Sequence, residues 1–312
     1  MQDPFFQLQR PRMNVDSENF RGAWLMVCSM VLYTLNDACL KSVGAELPVF
    51  QSIFIRSILV AIFFLLVVCF TGAFKSSIPS KDIRLLVLRA IAEIVSTFFF
   101  ISALIKMPIA NVVSIVQILP LTVSLGAVFF LRERIGWRRV MAIIVGFIGV
   151  LLIVRPGAGD FNFYSIYALL AVFFVTLREL VTRRLSKEVS SIYVATTTAV
   201  SVFIFSAMGS LTITWVAIDP MQLLKLITAS IFLTGGYLCA VLAIRNGDIG
   251  FVAPFRYTSL IAALILGLVF FGEWPDTLTI FGALTIFIAG MFSLLREKKY
   301  VCKKVMVKIS KY

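Results

Sequence analysis

Histidine is missing from the whole chain. That one absence removes imidazole acid–base catalysis, HExxH metal sites and Ser-His triads together. Cysteine is scarce, and Cys28, Cys39, Cys69, Cys239 and Cys302 form no CxxC pair. The first four lie in apolar segments and the last in a basic one, so no disulfide framework is expected. Charge is thin as well, at 14% of residues, where a soluble chain carries about a quarter. What charge there is leans positive, with 29 Lys and Arg against 16 Asp and Glu. Such a balance would suit nucleic acid, but the basic residues cluster in short gaps between apolar runs, so no nucleic-acid partner is expected. With no phosphate-cradling loop either, the sequence calls for no cofactor and no metal.

What fills the chain is hydrophobic side chains, 60% of 312 residues. A helix needs about 20 mostly apolar residues to span a bilayer. Ten runs qualify, at 22–40, 49–71, 84–105, 109–131, 137–154, 163–182, 191–211, 222–244, 249–271 and 276–295. Pro48, Pro79, Pro108, the Arg155-Pro156-Gly157 step, Asn246-Gly247-Asp248 and Trp274-Pro275 separate them. The fold expected is therefore all-α and integral to a membrane, with ten transmembrane helices and no room for a soluble domain.

The basic residues orient it. With the N-terminus inside, 21 Lys and Arg fall on inner segments, while only Lys41, Lys106, Arg155 and Lys225 mark outer ends. Both termini are expected in the cytoplasm. Residues 1–21 are polar and mixed in sign, unlike an Arg-rich transit peptide, and the apolar stretch that follows is too long for a cleaved signal. Residues 296–312 form a basic tail suited either to anionic lipid or to open solvent. Trp24, Trp137, Trp215 and Trp274 stand at span ends, where interfacial anchors belong.

The two halves resemble each other. Thr34-Leu35-Asn36-Asp37 with Lys41 matches Thr176-Leu177-Arg178-Glu179 with Arg183 at a constant spacing of 142. ALIKMPIANVV at 103–113 parallels LAIRNGDIGFVA at 242–253, and Phe130-Leu131-Arg132-Glu133 parallels Phe270-Phe271-Gly272-Glu273. Five spans per half, an odd number, turn the second copy upside down. Inverted repeats of this kind are typical of secondary transporters, with the solute site near the midplane between the halves. The expected division is 22–155 for the first repeat and 156–295 for the second.

These stretches resemble the drug/metabolite transporter superfamily, and within it the EamA family of ten-helix carriers. The resemblance rests on NDACLK in the first span, RAIAEIVSTFFFISAL in the third, FFLRERIGWRRVMAIIVGFIGVLLIVRPG across the fourth and fifth, and its second copy FFGEWPDTLTIFGALTIFIAG. The NDxxxK start resembles members that carry S-adenosylmethionine or riboflavin. Histidine-coupled and nucleotide-sugar branches match less well. The family implies transport of a small organic solute across a bacterial inner membrane by alternating access, in a monomer or homodimer. A channel or a membrane scaffold subunit is the alternative. An intramembrane aspartyl protease would need the Gly157-Ala158-Gly159-Asp160 string inside a helix with a second aspartate facing it, whereas here it follows Arg155-Pro156 in a turn.

An ionisable side chain at membrane depth costs roughly 2.5–3.5 kcal/mol on insertion scales, so each one in a span is a candidate. Asp37, beside Asn36, and Arg56 stand at similar depth and are a candidate pair: an outer gate or solute contact, or a structural ion pair. Arg89 and Glu93 share one helical face. Arg89 is near enough to the inner end to snorkel; Glu93 is deeper, a candidate for solute charge or for a proton as coupling ion. Arg178 and Glu179 are adjacent in sequence and expected to point apart, with Glu179 the inverted counterpart of Asp37. Gln117 and Arg256 are repeat mates 139 apart. Arg256 precedes Tyr257 and follows Pro254, so an arginine, an aromatic and a loosened helix come together as a candidate contact for an anion or a π-system. Pro120 loosens the fourth span in the same way.

Overall fold

The structure, a computed structural model, describes residues 15–71, 79–132, 136–156, 161–186, 188–246 and 249–309, without the side chains of 15–17, 245–250 and 294–309. Residues 1–14, Lys75, Glu133, Lys187, the Gly157–Asp160 string and the basic side chains of the tail lie outside the described residues.

Every regular element among the described residues is helical. The apolar runs become α1 (Val15–Gly44), α2 (Val49–Thr71) and α3 (Ser80–Lys106), the last entered through Pro79. The fourth run is broken into α4 (Ile109–Val116) and α5 (Leu119–Leu131). There follow α6 (Trp137–Val154), α7 (Tyr164–Thr182), α8 (Ser191–Ser210) and α9 (Pro220–Asn246). The ninth run is broken too, into α10 (Ile249–Val252), a 3-10 turn over Ala253–Tyr257 and α11 (Thr258–Phe271). The last is α12 (Thr277–Ile309). Among the described residues nine segments are long and apolar enough to cross a membrane, counting each broken run once, and Thr277–Ser293 is a shorter apolar helix. The ten runs read from the sequence are all present. The helices α1 and α12 overrun their apolar runs, because Arg, Lys, Glu and Met beyond the hydrophobic stretch are good helix formers and keep the backbone winding.

The exterior is apolar. Phe129 is 75% exposed, Ile231 63% and Leu151 54%; a band of such residues around a bundle faces lipid, not water. Trp137 opens α6, Trp274 stands between α11 and α12, and Trp24 lies inside the elongated α1; all three are exposed.

The most extensive helix pairs are α1 with α9, α3 with α7, α6 with α12 and α2 with α8, and α4 packs on α11 as well. Each joins one half of the chain to the other. If the spans are numbered one to ten and each is exchanged for the span five places on, this set of pairs maps onto itself. Two caps repeat as well: Arg132 after α5 and Gly272 after α11 both take left-handed backbone, at φ 55° and 62°. The α6–α12 crossing is the tightest. A Cβ added to Gly149 would stand 2.8 Å from the Gly282 carbonyl oxygen, and one on Gly282 would stand 2.6 Å from that of Gly149. Only glycine lets two helix backbones approach this closely, the usual means of helix association where no hydrophobic effect drives it.

Candidate functional site

The helices run alternately, so the bundle has two ends: the one from which α1 starts, and the opposite one reached at Gly44. They are built differently. The opposite end is filled by fully buried aliphatic side chains, with Leu40, Ile53, Leu104, Ile109 and Leu226 all at 1% exposure or less. Above this plug, Lys41 Nζ pairs with Glu273 Oε1 at 2.6 Å and donates to the Met107 carbonyl. The other oxygen of Glu273 accepts the backbone N–H of Ile109 at 2.8 Å, a free donor at the start of α4. Arg155 pairs with Asp276, and Gln51 bonds both the N–H and the carbonyl of Val216. Together these links tie both halves of the chain across that end.

Toward the α1 end there is instead a cavity of about 550 Å³. Its charged lining is Arg56, Arg89, Glu93, Arg178, Glu179 and Arg256, and Tyr33, Phe64 and Tyr237 supply aromatic wall. It reaches Ile244, two residues from the end of α9, and Val252 in the short α10. At its far side Arg56 stands seven residues into α2, about 10 Å from the opposite end at 1.5 Å per residue. The volume falls within the usual range for small-molecule sites.

Arg178 organises the acids. Its guanidinium reaches Glu93 Oε2 at 2.6 Å through Nη1 and Glu179 Oε1 at 2.6 Å through Nη2. The expectation that Arg178 and Glu179 point apart is corrected: both side chains turn into the cavity, because Glu93 on the packed neighbour α3 draws the arginine between two carboxylates. Arg89 and Glu93, which share one face of α3, do not pair with each other either. Arg89 Nε donates to Thr182 Oγ1 at 2.9 Å, and Nη1 donates to Thr198 Oγ1. Thr182 and Thr198 lie on α7 and α8, which wrap α3, and their hydroxyls reach Arg89 while Arg178 takes the carboxylate.

Asp37 and Arg56 are linked, though not directly. Asn36 stands between them, its Nδ2 donating to Asp37 Oδ1 at 2.9 Å and its Oδ1 accepting from Arg56 Nη1 at 3.4 Å. Asn36 and Asp37 do not line the cavity, whereas Arg56 does.

Gln117 and Arg256 meet, but by backbone. Gln117 Nε2 donates to the Arg256 carbonyl at 3.0 Å and to Ser259 Oγ. The two broken spans thus brace each other at their breaks. Pro120 and Pro254, which lack an N–H, open these breaks, as the sequence leads one to expect. The Arg256 guanidinium itself faces the cavity and, among the described residues, has no hydrogen bond or ion pair. Tyr257 points elsewhere: it is 3% exposed, meets Phe287 edge-on at 5.3 Å and is not part of the lining. Adjacent residues on a tight turn face different sides, so the expected Arg256–Tyr257 contact surface is not assembled, and Gln117 is likewise packed away from the cavity.

Sequence reasoning missed Tyr33, Tyr237 and Thr198, which carry no charge to mark them. It also missed the Lys41–Glu273 pair, whose members are 232 positions apart.

Comparison with known proteins agrees with this architecture. An S-adenosylmethionine uptake transporter of Rickettsia bellii is 29% identical over 289 residues, covering 90% of this chain and 96% of that protein. The pseudopaline exporter CntI of Pseudomonas aeruginosa is 25% identical, covering 89% and 97%. A riboflavin transporter of Vibrio cholerae is 24% identical, covering 92% and 97%. A solved crystal structure shares the fold with a TM-score of 0.59 at 15% identity, over 91% of this chain and 99% of the other. The model of the EamA-like transporter family matches twice, over residues 20–155 and 162–295. An all-helical bundle, a charged cavity between its halves and a family match over both of them lead to one conclusion: this chain belongs to the EamA-like transporter family of membrane proteins.

Proposed function

We propose that the chain is a secondary transporter that carries a small organic solute across a bacterial inner membrane by alternating access, built as two inverted five-helix repeats. The observation that carries this reading is the unequal construction of the two ends. One is plugged by aliphatic side chains and locked by Lys41–Glu273, while a charged cavity reaches the other. A carrier needs that inequality in each of its states, and an open channel does not. The pairing of helices, unchanged when the two halves are exchanged, supports an inverted repeat whose second state seals the other end.

With both termini in the cytoplasm, as the basic asymmetry indicates, the cavity faces inward. The relatives named for S-adenosylmethionine, riboflavin and pseudopaline support an organic metabolite as cargo. Glu93 is the candidate proton carrier, since it is an acid in the cavity held by one movable partner.

The test is an untargeted comparison of metabolites inside and outside cells with and without the gene, followed by flux of the affected solutes into liposomes containing the pure protein. Saturable flux accelerated by solute on the far side supports a carrier; linear, unsaturable flux overturns it in favour of a channel. A reporter fused after Tyr312 that is active only in the periplasm would reverse the orientation.

A further inference from the structure

We infer that the solute is an organic dianion, a molecule with an apolar or flat part and either a phosphate monoester or two carboxylates. The inference rests on the cavity being the transport site. Four arginines and two glutamates line that cavity, an excess of two positive charges. The excess is not spread evenly, because Arg178 holds both glutamates at 2.6 Å. Arg56, Arg89 and Arg256 are left without a carboxylate within ion-pair distance among the described residues. Arg89 is met by threonine hydroxyls and a carbonyl, which satisfy its N–H groups without cancelling its charge. The Arg256 guanidinium has neither hydrogen bond nor ion pair among the described residues.

Arg56 is the strongest indication. It is only 7% exposed, and among the described residues its guanidinium makes one hydrogen bond, a 3.4 Å contact to Asn36, and its Nε makes none. Asp37 reaches it only through Asn36 and does not line the cavity. A buried guanidinium with an unmade hydrogen bond is costly, and here the vacant donor belongs to a residue of the cavity wall. The planar fork of arginine matches carboxylate and phosphate oxygens bidentately. A dianion offsets that excess and supplies acceptors for the guanidinium groups of the cavity wall. A sulfonium or ammonium cation would enlarge the imbalance. Met30, Val60, Phe64 and Tyr237 give the remaining wall its apolar and aromatic character, which suits a ring.

The test uses matched pairs on the purified full chain in lipid nanodiscs: riboflavin against riboflavin 5′-phosphate, and phenylsuccinate against its dimethyl ester, with S-adenosylmethionine as the cationic probe. At least one dianion is expected to bind roughly tenfold tighter than its neutral partner; the pair in which this occurs separates phosphate from dicarboxylate recognition. Because Arg56 is buried and its replacement endangers folding, the variant of choice is the exposed Arg256→Gln, expected to cut that advantage to about threefold while the neutral partner's binding is unchanged. Equal binding within both pairs, binding by neither dianion, preference for S-adenosylmethionine, or an advantage that survives in Arg256→Gln overturns the inference. Because binding is read without transport, a protein that moves a neutral or cationic solute fails this test and keeps the transporter reading, whereas absent flux removes both.

Discussion

The two ends of the bundle hold charges of the same kinds and use them oppositely. At the sealed end Lys41, Glu273, Arg155 and Asp276 are consumed in pairs, with backbone groups taking up the remaining donors and acceptors. In the cavity six charged side chains leave three arginines without an ion pair among the described residues. Mutual satisfaction closes a surface, and incomplete satisfaction keeps one receptive. The difference lies in pairing, not in composition.

Breaking the sealed end should have the largest effect. Glu273→Gln leaves Lys41, 9% exposed, without its counter-charge. Removing one partner of a buried pair costs about 3–5 kcal/mol, and the lower figure is expected because Lys41 keeps the Met107 carbonyl. Thermal unfolding should show that loss, and a thiol placed behind the plug should become reactive to a membrane-impermeant reagent added from the sealed side. The double variant Lys41→Met with Glu273→Gln should recover much of the stability. A double variant as unstable as the sum of the singles would show the two side chains acting independently.

Within the cavity, Glu93→Gln removes one of two acids from Arg178 and adds to the positive excess. The expected outcome is at least a severalfold fall in transport with little change in unfolding temperature, since Arg178 retains Glu179 and is part-exposed. Comparing uptake across pH decides the proton role: a flattened profile in Glu93→Gln supports coupling, and an unchanged one makes the carboxylate a partner of Arg178 only.

A smaller effect is expected where the regions grade into each other, at Asp37–Asn36–Arg56. Asp37→Ala and Arg56→Ala should each impair transport, and together less than additively. Asn36→Leu cuts the relay while leaving both charges, so it should reproduce part of either single loss. Wild-type transport by Asn36→Leu would show that the charges interact without the amide.

The smallest effect belongs to Tyr257→Phe. The Tyr257 hydroxyl is buried and has no hydrogen-bond partner among the described residues, so removing it should leave transport within about twofold and hold or raise the unfolding temperature. A large loss of transport would return Tyr257 to the solute path.

The spans were legible in the sequence because a bilayer demands some 20 apolar residues at a stretch, and Pro120 and Pro254 announced the two breaks because a missing N–H acts locally. The charged residues of the cavity were legible for the same reason: a charge inside an apolar run stands out. Their partners were not. Helical spacing suggested Arg89 with Glu93 four residues on, yet Arg178, 85 positions away, captures Glu93. Spacing describes one helix's own surface, while partner choice is settled by which helix packs alongside. Lys41 was read as a basic residue at a span end and Glu273 as the repeat counterpart of Glu133, readings that are silent about each other.

The glycine crossing of α6 and α12 has a mechanical consequence. Interdigitated side chains act like gear teeth, resisting any change of angle between two helices. Where Gly149 and Gly282 meet, backbone rests on backbone, with the Ile153 and Ile286 side chains beside the contact. Such a contact fixes the distance between the rods, as a pivot does. A single methyl at either position would be a shim in the bearing, pushing the rods apart at the point about which they turn.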